Sequence, residues 1–390
     1  MEVNQIYALM NTVTNEILGS SEIVTENLSN VVDIGTAIFS NTSVDKYVQT
    51  LVDHIGKVVF VDRKYEGMVP SMLRDGWEYG AALEVIDVDI PDATENETYS
   101  LVNGNSYDPN IFYKPTVSAK FYNKKVTFEV PISFAEVQVK SSFSSLTELN
   151  KFLSTIYTAV DNSMTIKLEA LIMRTINNMI GETLVDADSA SAGYGNISTT
   201  RAVNLLKLYN DKFNKSLTAE TCIYDTDFNK FASYIIGLYS DRMRVASTLF
   251  NIEGKERFTN KDNLHIVMLS DFAKASDVYL QSDVYHNDLT SLPNGIERVP
   301  YWQGSGTDYG FGSVSDIHIN TASGKEVNAS GILGVMFDTI ACMVACENRR
   351  TTSNYNAKAE FYTNFNKWDA KYLNNLSGNF VVFYVANATT

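Results

Sequence analysis

The sequence predicts an α+β fold organised around one very long helix. Three observations carry this. From Ser145 to Ile180 apolar residues recur at three- and four-residue steps without a proline, from Val58 the apolar period shortens to two, and beyond Thr200 short helical and strand patterns alternate. The long helix opens on Ser145-Leu146-Thr147-Glu148, a capping box in which a hydroxyl and a carboxylate each satisfy an orphaned backbone N–H. Leu149, Leu153, Ile156, Val160, Met164, Leu168 and Leu171 lay one apolar stripe along it, and Gly181 closes it. At about 1.5 Å of rise per residue the run is roughly 50 Å long. It reads as a spine, and its drift from strict heptads speaks against an isolated coiled coil.

From the N-terminus, Val3, Ile6, Met10, Val13 and Ile17 share one helical face, stopped at Gly19. Ser20 to Thr42, rich in Ser, Thr and Asn, reads as an extended arm, and a second short helix runs from Val44 to Ile55 between Ser43 as cap and Gly56 as stop. Glu84 to Ile90 largely alternates apolar and acidic residues, as a half-buried strand does. Val117 to Tyr122 and Val126 to Phe134, joined at Asn123-Lys124-Lys125, carry a hairpin signal. Between Pro91 and Pro115 the chain is polar, acidic and turn-rich, with Glu95, Glu97 and Asn103-Gly104-Asn105. The block from Val58 to Pro131 therefore reads as a two-stranded excursion with an exposed tip. Isolated hairpins are marginal in water, so it is expected to lean on a neighbouring subunit.

After the spine, Ala187 to Thr200, with Gly193 and Gly195, reads as a linker at a domain boundary. Helices at Thr200 to Phe213 and Thr226 to Tyr239 then alternate with strands at Glu220 to Tyr224 and Leu264 to Leu269, a compact α/β region. Ile332 to Phe337 and Phe380 to Val385 are buried-strand candidates, so the chain ends inside a sheet.

A chain of 390 residues divides into two or three domains, and 45% hydrophobic residues suffice for a core. Its 22 tyrosines and 20 phenylalanines exceed the needs of one compact core and point to chain packing on chain. A formal charge of -15 argues against binding a nucleic-acid backbone. The three cysteines, Cys222, Cys342 and Cys346, form no disulfide framework and read as buried thiols. Neither a secretory signal nor a membrane-spanning run is visible, so synthesis in a reducing cytoplasm is expected.

No motif for a nucleophile, metal or cofactor stands out, so neither catalysis nor a bound cofactor is expected. His54, His265, His286 and His318 share no ligand spacing, and Cys342-x-x-x-Cys346 lacks the spacing of a zinc site. The glycine-rich stretch Gly304 to Gly312 lacks the strand, helix and lysine of a phosphate loop. Glu95 and Glu97, like Asp283 and Asp288, read as solvated edge. Arg349-Arg350, beside a strand, is suited to gripping carboxylates of an adjacent chain bidentately, or is an ordinary basic turn.

Ser43 to Val59, Phe128 to Leu171, Ala246 to Glu253, Tyr285 to Trp302 and, most specifically, Gly331 to Phe337 with Arg349 to Tyr362 and Phe380 to Val385 carry a family likeness. In that order the chain resembles the major capsid proteins of tailed bacteriophages, the Hong Kong 97-type shell fold, and most of all those of phi-twenty-nine-like podoviruses. The resemblance implies an N-terminal arm over 1–57, an extended β-hairpin loop over 58–131, a peripheral domain over 132–214 holding the spine, an axial domain over 215–330, and the peripheral domain resumed over 331–390. It implies a homo-oligomer of pentamers and hexamers, a virion location, scaffold and portal partners, and enclosed DNA that is not read by sequence. Glu95, Glu97, Lys124, Lys125, Arg349 and Arg350 are the expected subunit-interface residues. Ending at Thr390, the chain has no room for the C-terminal immunoglobulin-like domain of some relatives. An encapsulin-type compartment, a secreted adhesin and a cytoplasmic hydrolase are the alternatives.

Overall fold

The computed structural model describes residues 68–75, 83–91, 93, 95–96, 100–135, 146–188, 193–281, 295–303, 310–321 and 324–388. The two expected N-terminal helices, the arm and Ser145 of the capping box lie outside the described residues. In chain order the strands are β1 Leu73–Asp75, β2 Leu83–Val88, β3 Val117–Tyr122, β4 Lys125–Ala135, β5 Ala202–Asn204, β6 Leu264–Leu269, β7 Ile296–Val299, β8 Ile317–Asn320, β9 Glu326–Ala329, β10 Ile332–Asp338, β11 Cys342–Asn356, β12 Phe361–Asn374 and β13 Phe380–Tyr384. The helices are α1 Leu146–Ala187, α2 Leu205–Phe213, α3 Thr226–Arg242, α4 Ser270–Gln281 and the single turn α5 Phe311–Val314. This is an α+β chain in two compact units. The first joins Met1–Glu78, Lys125–Arg174 and Val344–Tyr372, and the second Tyr79–Lys124, Thr175–Met343 and Leu373–Thr390.

The spine helix α1 is 42 residues long and runs through Gly181 without a break. Gly181 is no stop. It has no left-handed backbone, and a Cβ there would collide with Ile319 Cδ1, so the missing side chain makes room for β8. The single apolar stripe is also incomplete as a description. Val160, Leu168 and Leu171 are buried as expected, but from Thr175 to Leu184 the helix is covered on nearly every side. Such a segment shows no single stripe, and two of its polar groups bond to buried carbonyls, Thr183 Oγ1 to that of Met179 at 2.8 Å and Asn177 Nδ2 to that of Trp302 at 2.8 Å.

In the first unit a four-stranded sheet has the order β1-β11-β12-β4, with β1 parallel to β11. β4 runs antiparallel to β12 from Phe361↔Ala135 to Lys371↔Lys125. This overturns the hairpin expected at Asn123-Lys124-Lys125. β3 and β4 are separate strands of separate sheets, β3 pairing with β2 and β4 with β12. The longer ladder satisfies more backbone groups than a hairpin across Lys124 would.

The second unit holds a five-stranded sheet of order β5-β13-β10-β6-β7. Every residue of β10 is buried, the mark of a strand covered on both faces. Gly334 sits so close to β6 that a Cβ would lie 2.5 Å from Met268 Sδ. One face carries α2, α3 and α4 around a core that includes Tyr209, Phe228, Phe231, Phe272, Met336 and Phe383. The boundaries expected at 214/215 and 330/331 are therefore absent. α2 shares its core with α3, and β10 and β13 lie in one sheet with β6, because apolar runs buried on both faces need the middle of a sheet. The linker from Ala187 is no domain boundary either. Gly195 and Ile197 are buried, and Tyr194 stacks on Tyr384 at 4.7 Å. The strand expected at Glu220 to Tyr224 is a turn of 3-10 helix, Cys222–Tyr224, because Cys222 N–H bonds back to the Thr218 carbonyl and Asp225 then caps α3.

Candidate functional site

The antiparallel pair β2 and β3 is a ribbon with two unlike faces. Opposite residues share a face, and Val88↔Val117, Ile86↔Ala119 and Glu84↔Phe121 are opposite one another. These side chains point outward, with Ile86 60%, Val88 58% and Phe121 69% exposed. The other face meets the ribbon's own unit through polar groups. Lys120 pairs with Glu253, Lys255 Nζ lies 2.8 Å from Asp89 Oδ1, and Tyr122 O–H donates to Asn375 Oδ1 at 3.0 Å. A strand that alternates apolar and acidic residues is expected to bury its apolar side. Here β3 reverses that expectation: its Ser118, Lys120 and Tyr122 are turned inward, with Val85 of β2 beside Lys120, while Val117, Phe121, Ile86 and Val88 face solvent.

Beyond Val88 the ladder gains one more bond, Asp89 N–H to the Thr116 carbonyl at 3.0 Å, and the chain then opens into the tip. The tip is held by its own turns, with Asn105 N–H bonded to the Val102 carbonyl at 3.2 Å and Val102 N–H to the Tyr107 hydroxyl at 3.1 Å. The tip is also less polar than its sequence suggests. Leu101, Val102 and Ile111 are exposed, and Phe112 and Tyr113 are exposed at 83% and 82%. The triplet Ile111-Phe112-Tyr113 inside a polar stretch is the sequence signal that marks it. Glu95 is exposed beside the tip, and Glu97 lies outside the described residues.

The expected basic interface residues are arranged differently. Arg350 does not offer a free fork to another chain. Its Nη1 and Nη2 donate to Oδ2 and Oδ1 of Asp369 in the same chain at 2.9 and 3.2 Å. Lys125 Nζ adds a bond at 3.0 Å and Thr127 Oγ1 one at 2.7 Å to that carboxylate. The Asp369 side chain is buried. Burial raises its pKa, but the bonds from Arg350, Thr127 and Lys125 prevail and hold the carboxyl well below the usual carboxylate range. Lys367 and Lys371 stand on the same face of β12, paired with Glu129 at 2.9 Å and Glu347 at 2.7 Å. The result is a cross-strand charge ladder over β4, β12 and β11, announced only by the alternation Lys367-Trp368-Asp369-Ala370-Lys371. Arg349 is half-buried on β11, and Lys124 is exposed between β3 and β4. The structure therefore brings Lys125 and Arg350 together on Asp369, and places Glu95 and Lys124 on the surface.

Other polar candidates are structural. His265 on β6 has its Nε2 2.9 Å from Thr339 Oγ1, and His318 is exposed on β8, while His54, His286, Asp283 and Asp288 lie outside the described residues. Burial pushes the Cys222 thiol up to about 12 and the half-buried Cys346 up to about 11. Of the glycine-rich stretch, Gly310 precedes the short turn α5, and 304–309 lie outside the described residues. Among the described residues no group of three or more His, Cys, Asp or Glu is placed to hold a metal, and no helix is long and apolar enough to cross a membrane.

A large exposed apolar surface on a ribbon, with no catalytic constellation beside it among the described residues, is what a chain built to pack on other chains presents. A family model of the Phi29-like phage major capsid protein matches residues 10–384. The chain belongs to this family. The major capsid protein of Bacillus phage GA-1 is 26% identical over 176 residues, 41% of this chain and 34% of that protein, so the match spans about a third of the relative's length. Among solved structures, a chain in the structure of the head fiber and inner core protein gp22 of native bacteriophage P68 is 7% identical, covers 83% of this chain and 86% of that one, and superposes with a TM-score of 0.51. At that identity the likeness is one of fold. A chain in the capsid structure of Staphylococcus phage Andhra has 9% identity, a TM-score of 0.48 and coverage of 84% and 86%. The Phi29-like capsid family is one of structural proteins of the virion shell and not of enzymes, which decides against a hydrolase and in favour of a phage head over an encapsulin-type compartment.

Proposed function

We propose that this Phi29-like capsid chain self-assembles into pentamers and hexamers that close into a head around double-stranded DNA, with the outward face of the ribbon seated on a neighbouring copy. The inverted ribbon is the observation that carries this reading. Ile86, Val88, Ile90, Val117 and Phe121 cost free energy while they face water, and covering each contributes roughly 1 kcal/mol. One ribbon is a weak contact, and a ring multiplies it. Contacts between unlike surfaces of identical copies close rings when the rotation between copies closes. The exposed aromatics Phe112 and Tyr113 extend the same surface into the tip.

Scaffold and portal proteins are the further partners of this reading. The net charge of -15 suits a wall that encloses DNA without holding it. The test is size-exclusion chromatography with negative-stain electron microscopy on the chain alone and then with its neighbouring phage proteins. Rings, sheets or shells of uniform curvature are expected, and a strictly monomeric species under both conditions contradicts the reading.

A further inference from the structure

The polar face of the ribbon is tied to its own unit by two ion pairs whose charges are crossed. The ribbon supplies the cation Lys120 to Glu253 and the anion Asp89 to Lys255. Both partners stand on one short turn, two residues apart. That turn is held by bonds that do not involve the ribbon. Asn251, buried, accepts from Lys255 N–H at 2.8 Å and donates to the Lys255 carbonyl at 2.6 Å, while Gly254 takes φ +65, a conformation that other residues adopt at a cost. Ile252 N–H bonds to the Leu376 carbonyl at 3.2 Å, and Phe380 N–H bonds to the Phe250 carbonyl at 2.8 Å. The receiving turn is thus rigid and carries one charge of each sign.

All four charged side chains keep between 29% and 40% of their surface in water. Pairs exposed to this degree hold weakly and are screened by salt. An uncharged bond, Tyr122 to Asn375, ties the same face near the end of β3 where the chain leaves the ribbon. We propose that Lys120–Glu253 and Asp89–Lys255 form a reversible, salt-sensitive latch that fixes the angle of the ribbon and so presents its apolar face for assembly. This rests on the assembly reading above. With the latch closed the apolar face is turned outward in one orientation. With it open the ribbon pivots near Tyr122, and neighbouring copies meet it at varied angles.

Crossed charges make the test specific. Lys120→Glu opposes Glu253 and opens one pair, and the double variant Lys120→Glu with Glu253→Lys re-forms it with the signs exchanged. Hydrogen exchange of the β2 and β3 amides is read on the full, unassembled chain. The expected result is exchange about five-fold faster in the single variant and near wild type in the double variant, with 0.5 M NaCl accelerating the wild type alike. Unfolding midpoints in urea identify a variant that has lost its fold, and the separate pair Lys255→Glu with Asp89→Lys then supplies the same comparison. In assembly, the single variant is expected to give shells of mixed diameter and the double variant uniform ones. Unchanged ribbon exchange in both single variants, or no recovery in both double variants, overturns the latch. A wild-type chain that never assembles overturns the assembly reading alone, since the exchange data still judge the latch.

Discussion

Lys120 and Phe121, neighbours on β3, face opposite ways: the ammonium pairs with Glu253 on its own unit, and the ring lies exposed on the far side of the ribbon. Strand geometry forces the alternation. What it leaves free is which side meets the chain's own body, and in this capsid-family chain the polar side does.

The Asp369 cluster anchors the sheet of the first unit. Asp369→Asn keeps the shape but loses the charge that Arg350 and Lys125 bind. Since those partners are half in water and can be solvated, the expected loss is about 2 kcal/mol, below the figure for a fully buried pair. Urea unfolding at neutral pH measures it.

The same carboxylate sets an acid limit. Its folded pKa lies below the ordinary, unfolded value, so its contribution is complete above about pH 4 and falls away as the pH drops toward the folded value. Stability followed from pH 5 down to pH 2 is expected to fall more steeply in the wild type than in Asp369→Asn.

Two glycines separate close packing from backbone strain. Gly331 has φ +77, and a Cβ there would strike the Val385 carbonyl oxygen, so Gly331→Ala is expected to cost about 3 kcal/mol. Gly181→Ala meets side chains alone, chiefly the flexible end of Ile319, and gains helix propensity of up to about 1 kcal/mol, so it is expected to be near neutral. Unfolding midpoints of the two variants distinguish them.

The thiols are expected to be silent in the folded chain. With Cys222 raised to about 12 and Cys346 to about 11, thiolate is scarce at pH 8, and Cys342 is fully buried. An aromatic disulfide reagent should label none of the three cysteines rapidly under native conditions and all three in denaturant.

Local signals in the sequence carry far. Leu264 to Leu269 is read to the residue, and the runs at Ile332 and Phe380 to within one, because an unbroken apolar stretch announces a covered strand by itself. Pairing is not local. β4 finds β12 more than two hundred residues away, so the nearby Val117 to Tyr122 was the natural but mistaken partner. The charge site follows the same rule: Arg350 and Lys125 are visible as basic residues, but Asp369 gathers donors from two flanking strands that only the register reveals. Gly181 resembles a helix stop until Ile319 is seen beside it.

The most direct test of the assembly account is to place a charge on the outward face of the ribbon. Val88→Lys and Phe121→Lys are compared with wild type by size-exclusion chromatography and negative-stain microscopy, with circular dichroism as the check on fold. Both variants are expected to keep the wild-type spectrum and remain monomeric where the wild type forms rings or shells. Variants that fold and assemble as the wild type does would contradict the claim that this face builds the shell.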